Sequence, residues 1–362
     1  MRFKSIMLLI THGCNLSCSY CYEHKNSHLR MSAKLAKSIL SKHITSLDEK
    51  YDSFEVQFMG GEPLLNFSLI KDVSEWLWSI QWKKKLLTIF IPTNGTLLTE
   101  EMRQWFSANR GKICLGLSFD GNSIMQNLNR SSSASLIDTT FFATTWPDQS
   151  VKLTISPKTV DKLYDGVCAL WDYGFKTVSA DLAMGDIAWE MHHLVVFRKE
   201  LRKFVNRSVQ NFDTDHVFTM MNLPILSLLD KDHKYSGKQC YCGEDLVCVD
   251  VDGQEYPCHL FSPVSISNKK QLAHLRDIAF DDYDAFNMNP CCNCFLNPIC
   301  TAHCYGMNYK TYGSISINSP FHCSAFKLQF AENCRFKYKI AVKNQDINLQ
   351  NKVEQIIKNI QL

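Results

Sequence analysis

Thr11-His12-Gly13-Cys14-Asn15-Leu16-Ser17-Cys18-Ser19-Tyr20-Cys21-Tyr22 places three cysteines within eight residues, directly after the apolar run Ile6-Met7-Leu8-Leu9-Ile10. The apolar run is too short for the hydrophobic region of a secretory signal, and polar Thr11-His12 ends it. It reads as a buried first strand, so the three thiols stand at a strand's carboxyl end. His12 beside them reads as structural.

Working outward, 362 residues are enough for one large domain or two ordinary ones with a sizeable core. Apolar residues at 45% and charged residues at 21% are ordinary for a soluble globular chain. A net charge of +3 is too small for a nucleic-acid footprint. The longest basic run, Lys83-Lys84-Lys85, reads as a solvated loop or helix end. No window approaches the roughly 18 apolar residues of a membrane span. The expectation is a cytoplasmic protein without nucleic-acid or membrane partners, in a compartment where thiols stay reduced. Sixteen cysteines are then the anomaly. In a long chain without an export signal, clustered cysteines point to metal binding or catalysis rather than to a disulfide scaffold. Three lie at 14–21 and nine between 240 and 304, while Cys114, Cys168, Cys323 and Cys334 stand apart.

The first half alternates strands and helices. Strands are expected at Ser5–Thr11, Phe54–Met59, Leu87–Thr93, Ile113–Ser118, Val151–Ser156 and Thr177–Ala183, each a short apolar run suited to a parallel strand buried on both faces. Ser32 can cap a helix over Ala33–Ser46, and Thr99 one that begins with acidic Glu100-Glu101. Leu69, Val73, Trp76, Leu77 and Ile80 mark a second helix, and Leu163, Val167, Leu170 and Trp171 another that closes near Gly174. A long helix with an outer basic side is expected from Met191 to about Val209. Such succession implies right-handed parallel crossovers in an α/β fold, either an open doubly wound sheet or a full or partial barrel. After Tyr235 cysteine, Pro, Gly and Asn become dense, as in a second domain organised by ligands. Helical spacing returns from Phe326.

Cys14, Cys18 and Cys21 are spaced C-x3-C-x2-C. A structural zinc site wants four closed ligands. A four-iron cubane is usually held by four thiolates, so three leave one iron open for an outside ligand, which suits a reaction site. Phe58-Met59-Gly60-Gly61-Glu62-Pro63 follows the second strand, Thr93-Asn94-Gly95 the third, and Leu117-Ser118-Phe119-Asp120-Gly121 the fourth. With Tyr20 before the last cysteine, this series resembles the radical S-adenosylmethionine (SAM) superfamily over roughly the first 180 residues. The resemblance implies a partial (βα)6 TIM barrel at 1–210, with a [4Fe-4S] cluster on Cys14, Cys18 and Cys21. It implies that Tyr20, Gly60, Gly61, Glu62, Pro63, Asn94 and Ser118 lie against SAM, the Glu62 segment at its amino group, and that Arg130 serves its carboxylate. Asp120 would orient the ribose or cap a turn. The implied reaction is reductive cleavage of SAM to a 5′-deoxyadenosyl radical that abstracts hydrogen from substrate.

Downstream, Cys242-x5-Cys248 leads to Cys258, and Cys291, Cys294, Cys300 and Cys304 form C-x2-C-x5-C-x3-C, with Cys323 beyond. This is similar to the SPASM extension of peptide-modifying radical SAM enzymes. It implies a SPASM domain at 240–330 after a connecting segment at 211–239, and a C-terminal helix at 331–362. Carried over, Cys242, Cys248, Cys258 and Cys304 would ligate one auxiliary [4Fe-4S] cluster, and Cys291, Cys294, Cys300 and Cys323 another, making three clusters in all. Cys240 and Cys292 are spares, and Cys114, Cys168 and Cys334 read as small buried hydrophobes. Closed auxiliary clusters would accept an electron from the substrate radical. The implied partners are a precursor peptide or protein substrate and a flavodoxin- or ferredoxin-type reductant.

Two branches compete for the reaction. Anaerobic sulfatase maturases, which form formylglycine, typically carry an Asp base after the third ligand of the first auxiliary cluster. Here that residue is His259, in Tyr256-Pro257-Cys258-His259. Pro-Cys-His favours the branch that oxidatively cross-links ribosomally made precursor peptides. His259 reads equally as a proton acceptor or as a hydrogen-bond donor to a cluster sulfur. A reading of another class is a non-catalytic iron–sulfur or zinc-stabilised adaptor.

Overall fold

The computed structural model describes residues 2–82, 85–210, 215–230, 240–275, 278, 280, 291 and 293–360. Lys83, Lys84, Cys292 and parts of the 211–239 segment lie outside the described residues. Lys85 donates from Nζ to the carbonyls of Asp48 and Tyr51.

The described chain groups into two compact units. The first takes in Met1–Ser118, Ser135–Gln149 and Lys238–Asp282. Its core is β1 (Phe3–His12), whose Ile6 to Ile10 are all buried. β1 pairs in parallel with β3 (Ser53–Gly60) on one side and with β9 (Leu246–Val249) on the other. Every residue of β1 from Ser5 to His12 is buried, so both of its faces are covered, which matches its unbroken apolar run. β4 (Leu86–Thr93) and β5 (Cys114–Leu117) extend the sheet beyond β3. β10 (Glu255–Tyr256) closes the far side as an antiparallel hairpin on β9, and β2 (Asn26–Arg30) pairs antiparallel with the end of β1. The order is β10-β9-β1-β3-β4-β5, and the sheet is open rather than closed into a ring.

The expected helix starts are present. The Ser32 hydroxyl accepts from Leu35 N–H at the head of α1 (Ala33–Thr45), and Thr99 does the same for Met102 at α3 (Glu100–Ala108). α2 (Phe67–Trp78) buries Leu69, Ile70, Val73 and Leu77. Its cap residue Asn66 instead sends its amide to the carbonyls of Ile10 and Met31, tying the helix start to β1.

The second unit comprises Phe119–Ala134, Ser150–Gly237 and Tyr283–Leu362. A parallel sheet of β6 (Val151–Ile155), β7 (Thr177–Leu182) and β8 (Val217–Phe218) carries the helix Leu163–Asp172, which ends before Gly174 at φ +96°, and the helix Met191–Gln210. Leu194, Phe197, Leu201, Phe204 and Val205 of the latter are buried. Arg198 and Arg202 reach the fully buried carboxylate of Glu332 in the long helix Pro320–Lys343. Phe326, Phe330 and Cys334 of that helix join Val353 and Ile356 of the last helix, Ile347–Ile360, in one apolar cluster. Cys334 is thus a small core hydrophobe as expected. Cys114 and Cys168 are not, being half-buried with polar neighbours, Gln149 Oε1 and the Arg207 guanidinium. Among the described residues, no helix is long and apolar enough to cross a membrane.

Candidate metal and cofactor site

At the carboxyl end of β1, the chain turns into the three-cysteine loop. Thr11 Oγ1 accepts from Gly13 N–H, and Cys21 N–H returns to the Cys18 carbonyl. Cys14 and Cys18 are half-buried and Cys21 is exposed. Leu16 N–H points at Cys14 Sγ from 3.5 Å, and Lys25 donates from Nζ to the Leu16 carbonyl.

The Gly60–Pro63 segment is fastened to this loop. Gly61 N–H donates to the Thr11 carbonyl at 3.1 Å and Glu62 N–H to the Gly13 carbonyl at 2.8 Å. Side chains would forbid the approach. A Cβ on Gly60, whose φ is +133°, would lie 2.0 Å from Thr11 O, and one on Gly61 would lie 2.3 Å from Gly13 O. The paired glycines therefore let two backbones meet. Glu62 is 1% exposed and serves as a cap. Its Oε1 accepts from Leu64 N–H and from Thr93 Oγ1, and its Oε2 accepts from Asn94 N–H at 2.8 Å. Pro63 occupies the first position of the following turn, where a missing N–H costs nothing.

Asn94 completes the stitching. Its Nδ2 donates to Asn15 Oδ1, inside the cysteine loop, and its Oδ1 accepts from Thr96 N–H and Oγ1. Ser118 is half-buried at the end of β5, with its N–H on the Thr93 carbonyl. The ends of β1, β3, β4 and β5 thus carry Cys14, Gly60, Gly61, Glu62, Asn94 and Ser118 on one rim of the first unit. Tyr20 is half-buried in the loop itself. Asn15 and Thr96 were not singled out from the sequence, because nothing in their local pattern shows which loop they reach.

Asp120 and Arg130 lie in the second unit and answer each other. Arg130 Nε lies 3.1 Å from Asp120 Oδ1, which also accepts from Thr154 N–H, while Asn129 Nδ2 donates to Oδ2. Both residues are buried, Asp120 completely. Ser131 and Ser132 follow with φ of +53° each, a region that residues other than glycine seldom enter.

Cys242, Cys248 and Cys258 lie on or beside the β9–β10 hairpin, all buried. Burial pushes the Cys248 thiol well up, and the neighbouring charges of Cys258 and Asp250 add to the rise. His12 is a structural residue, buried against Asp250. His259 follows Cys258, with its Nε2 2.9 Å from Tyr22 Oη and the two rings 5.7 Å apart. Burial drives its imidazole down to about 4.

In the second unit, burial pushes the Cys300 thiol up to about 12, and the charges of Cys291, Cys294 and Cys323 push the same way. Asn318 Nδ2 donates to Cys291 Sγ at 2.8 Å. Cys304 also belongs to this unit. Among the described residues, no three His, Cys, Asp or Glu side chains converge closely enough for one metal ion. A four-iron cluster holds its ligands farther apart than a single ion does, and the donor chemistry fits one. Thiols that burial holds protonated become thiolate ligands when a cationic metal body replaces the missing solvation.

Residues 4–134 match the family described as a 4Fe-4S single cluster domain. An uncharacterized protein of Methanocaldococcus jannaschii is 29% identical over 265 residues, 70% of this chain and 84% of that protein. The cysteine-type anaerobic sulfatase-maturating enzyme of Clostridium perfringens is 31% identical over 123 residues, 33% of each chain. The radical SAM cyclopropyl synthase TigE of Paramaledivibacter caminithermalis is 21% identical over 370 residues, 90% of this chain and 73% of that one. Among solved structures, a tagged anSMEcpe with bound AdoMet superposes with a TM-score of 0.72 at 19% identity, covering 98% of both chains. Streptococcus suis SuiB bound to precursor peptide SuiA gives 0.56 at 14% identity, covering 89% of this chain and 76% of that one.

Proposed function

We propose that this chain, which belongs to the radical SAM enzymes with a SPASM-type extension, oxidatively cross-links a residue of a ribosomally made precursor peptide. The observation that carries the reading is the fastening of the Cys14–Cys21 loop to Gly60, Gly61, Glu62 and Asn94. An adaptor has no need of so exact a backbone junction beside three thiols. Cys14, Cys18 and Cys21 would hold the cluster whose open iron takes SAM. When bound, the reduced cluster and SAM supply a 5′-deoxyadenosyl radical able to take hydrogen from an unactivated carbon. The chain's part is positioning. Gly60 and Gly61 bring the backbone to the loop, and Glu62 and Pro63 fix the turn that follows. Tyr20, Asn94 and Ser118 line the same rim, and Arg130, braced by Asp120, is assigned to the SAM carboxylate. Cys291, Cys294, Cys300 and Cys323 would hold one auxiliary cluster and Cys242, Cys248, Cys258 and Cys304 another, for three in all, as electron acceptors. A flavodoxin- or ferredoxin-type protein is the proposed reductant.

A peptide substrate is supported by the relatives, since SuiB binds the precursor peptide SuiA and anSMEcpe binds the Cp18Cys peptide. A second reading, formylglycine formation, is favoured by the near full-length fold match to anSMEcpe. His259, where that reading expects an Asp, weighs against it. Mass spectrometry of peptides incubated with reduced enzyme and SAM tests the choice. Loss of two hydrogens with a cross-linked fragmentation pattern is expected. Loss of sulfur from a sulfatase-derived Cys peptide would replace this reading with the second.

A further inference from the structure

His259 stands between two cysteine loops of the first unit. On its amino side is Cys258, and its far ring nitrogen, Nε2, meets Tyr22 Oη, the side chain next to Cys21. Its backbone is held, because Ser262 sends both N–H and Oγ to the His259 carbonyl at 3.2 and 2.7 Å. The near ring nitrogen, Nδ1, is sealed from solvent and has no hydrogen-bond partner among the described residues. A buried polar atom in that state is costly unless a ligand meets it.

The chemistry of the pair says which kind of ligand. A phenol is the better donor and imidazole nitrogen the better acceptor, so the Tyr22 hydroxyl donates to Nε2. The ring proton is then on Nδ1, which must donate. Nδ1 is the ring nitrogen nearer its own main chain, and the residue directly before it is Cys258. The group it seeks is an acceptor, and an iron–sulfur cluster is a body of anionic sulfur.

We propose that His259 is a positioning residue whose Nδ1–H donates a hydrogen bond to a sulfur of the cluster held by Cys242, Cys248 and Cys258, with Tyr22 fixing the tautomer. This rests on the reading of those three cysteines as cluster ligands. A hydrogen bond to cluster sulfur favours the reduced form and raises the potential. Tyr22 thereby ties the setting of the auxiliary cluster to the loop of the first one.

Substitutions can separate the two ring nitrogens. The side-chain amide of Asn reaches about where Nδ1 lies, and that of Gln about where Nε2 lies. The test is an EPR-monitored redox titration of the anaerobically reconstituted full chain, with iron counted per chain. His259→Gln should retain its iron and move the midpoint of the first auxiliary cluster to a more negative potential. His259→Asn should stay near wild type. Tyr22→Phe, which frees the tautomer, should give a smaller shift in the same direction. An unchanged midpoint in His259→Gln with full iron would overturn the proposal, as would an equal shift in His259→Asn. Wild-type protein lacking that cluster's iron and signal would instead overturn the ligand reading, and the proposal with it.

Discussion

The Cys14–Cys21 loop and the Cys291–Cys323 region are the two cysteine-rich stretches proposed to ligate clusters, yet they are held in different ways. The first hangs from a sheet. β1 delivers Cys14, and backbone hydrogen bonds from Gly61 and Glu62 clamp the loop from β3. Asn94 clamps it from the end of β4. The second has no strand. Between Cys291 and Cys304 the described chain is turns and one short 3-10 segment, while Cys323 comes from the helix Pro320–Lys343. On the proposed reading, the first cluster would sit on a scaffold that the sheet already provides, whereas binding of the second would itself help order the turns between Cys291 and Cys304.

Removing metal should break this comparison open most widely. After anaerobic chelation, hydrogen exchange at 293–304 should accelerate at least about tenfold, while amides of β1, β3 and β4 keep their protection. Equal acceleration in both regions would contradict the contrast. Next in size is Asp120→Ala, which strands the buried Arg130 guanidinium and should cost about 3–5 kcal/mol in denaturant unfolding. A smaller but more local loss is expected from Gly60→Ala. Its new Cβ meets Thr11 O in a left-handed backbone, for about 2–4 kcal/mol and a depleted first cluster by EPR, with the auxiliary signals intact. The smallest is Asn94→Ala, which loses the tie to Asn15 for about 1 kcal/mol. It should raise the SAM concentration needed for half-maximal binding more than it lowers stability.

Much of this was legible along the chain because the signals are local. β1 announces itself by an unbroken buried apolar run, while β3, β6 and β7 show instead an alternation of buried apolar and more exposed polar residues. Ser32 and Thr99 declare helix starts by their hydroxyls alone. What escaped depends on distant partners. Leu246–Val249 is only four residues and reads as a strand only once it lies beside Ile6–Leu8. Asn26–Arg30 is polar and gains its strand from pairing to β1. The motif residues themselves stood out, but their mutual arrangement did not. Nothing in the sequence says that Glu62 would spend its carboxylate on Leu64, Thr93 and Asn94, or that Asp120 would face Arg130.

The most direct measurement is the yield of 5′-deoxyadenosine from anaerobically purified, reduced protein given SAM, compared with a Cys21→Ser variant. The account predicts brown protein with about twelve irons per chain, steady 5′-deoxyadenosine release by wild type, and none by the variant. Colourless zinc-containing protein, or equal release by both, would contradict it.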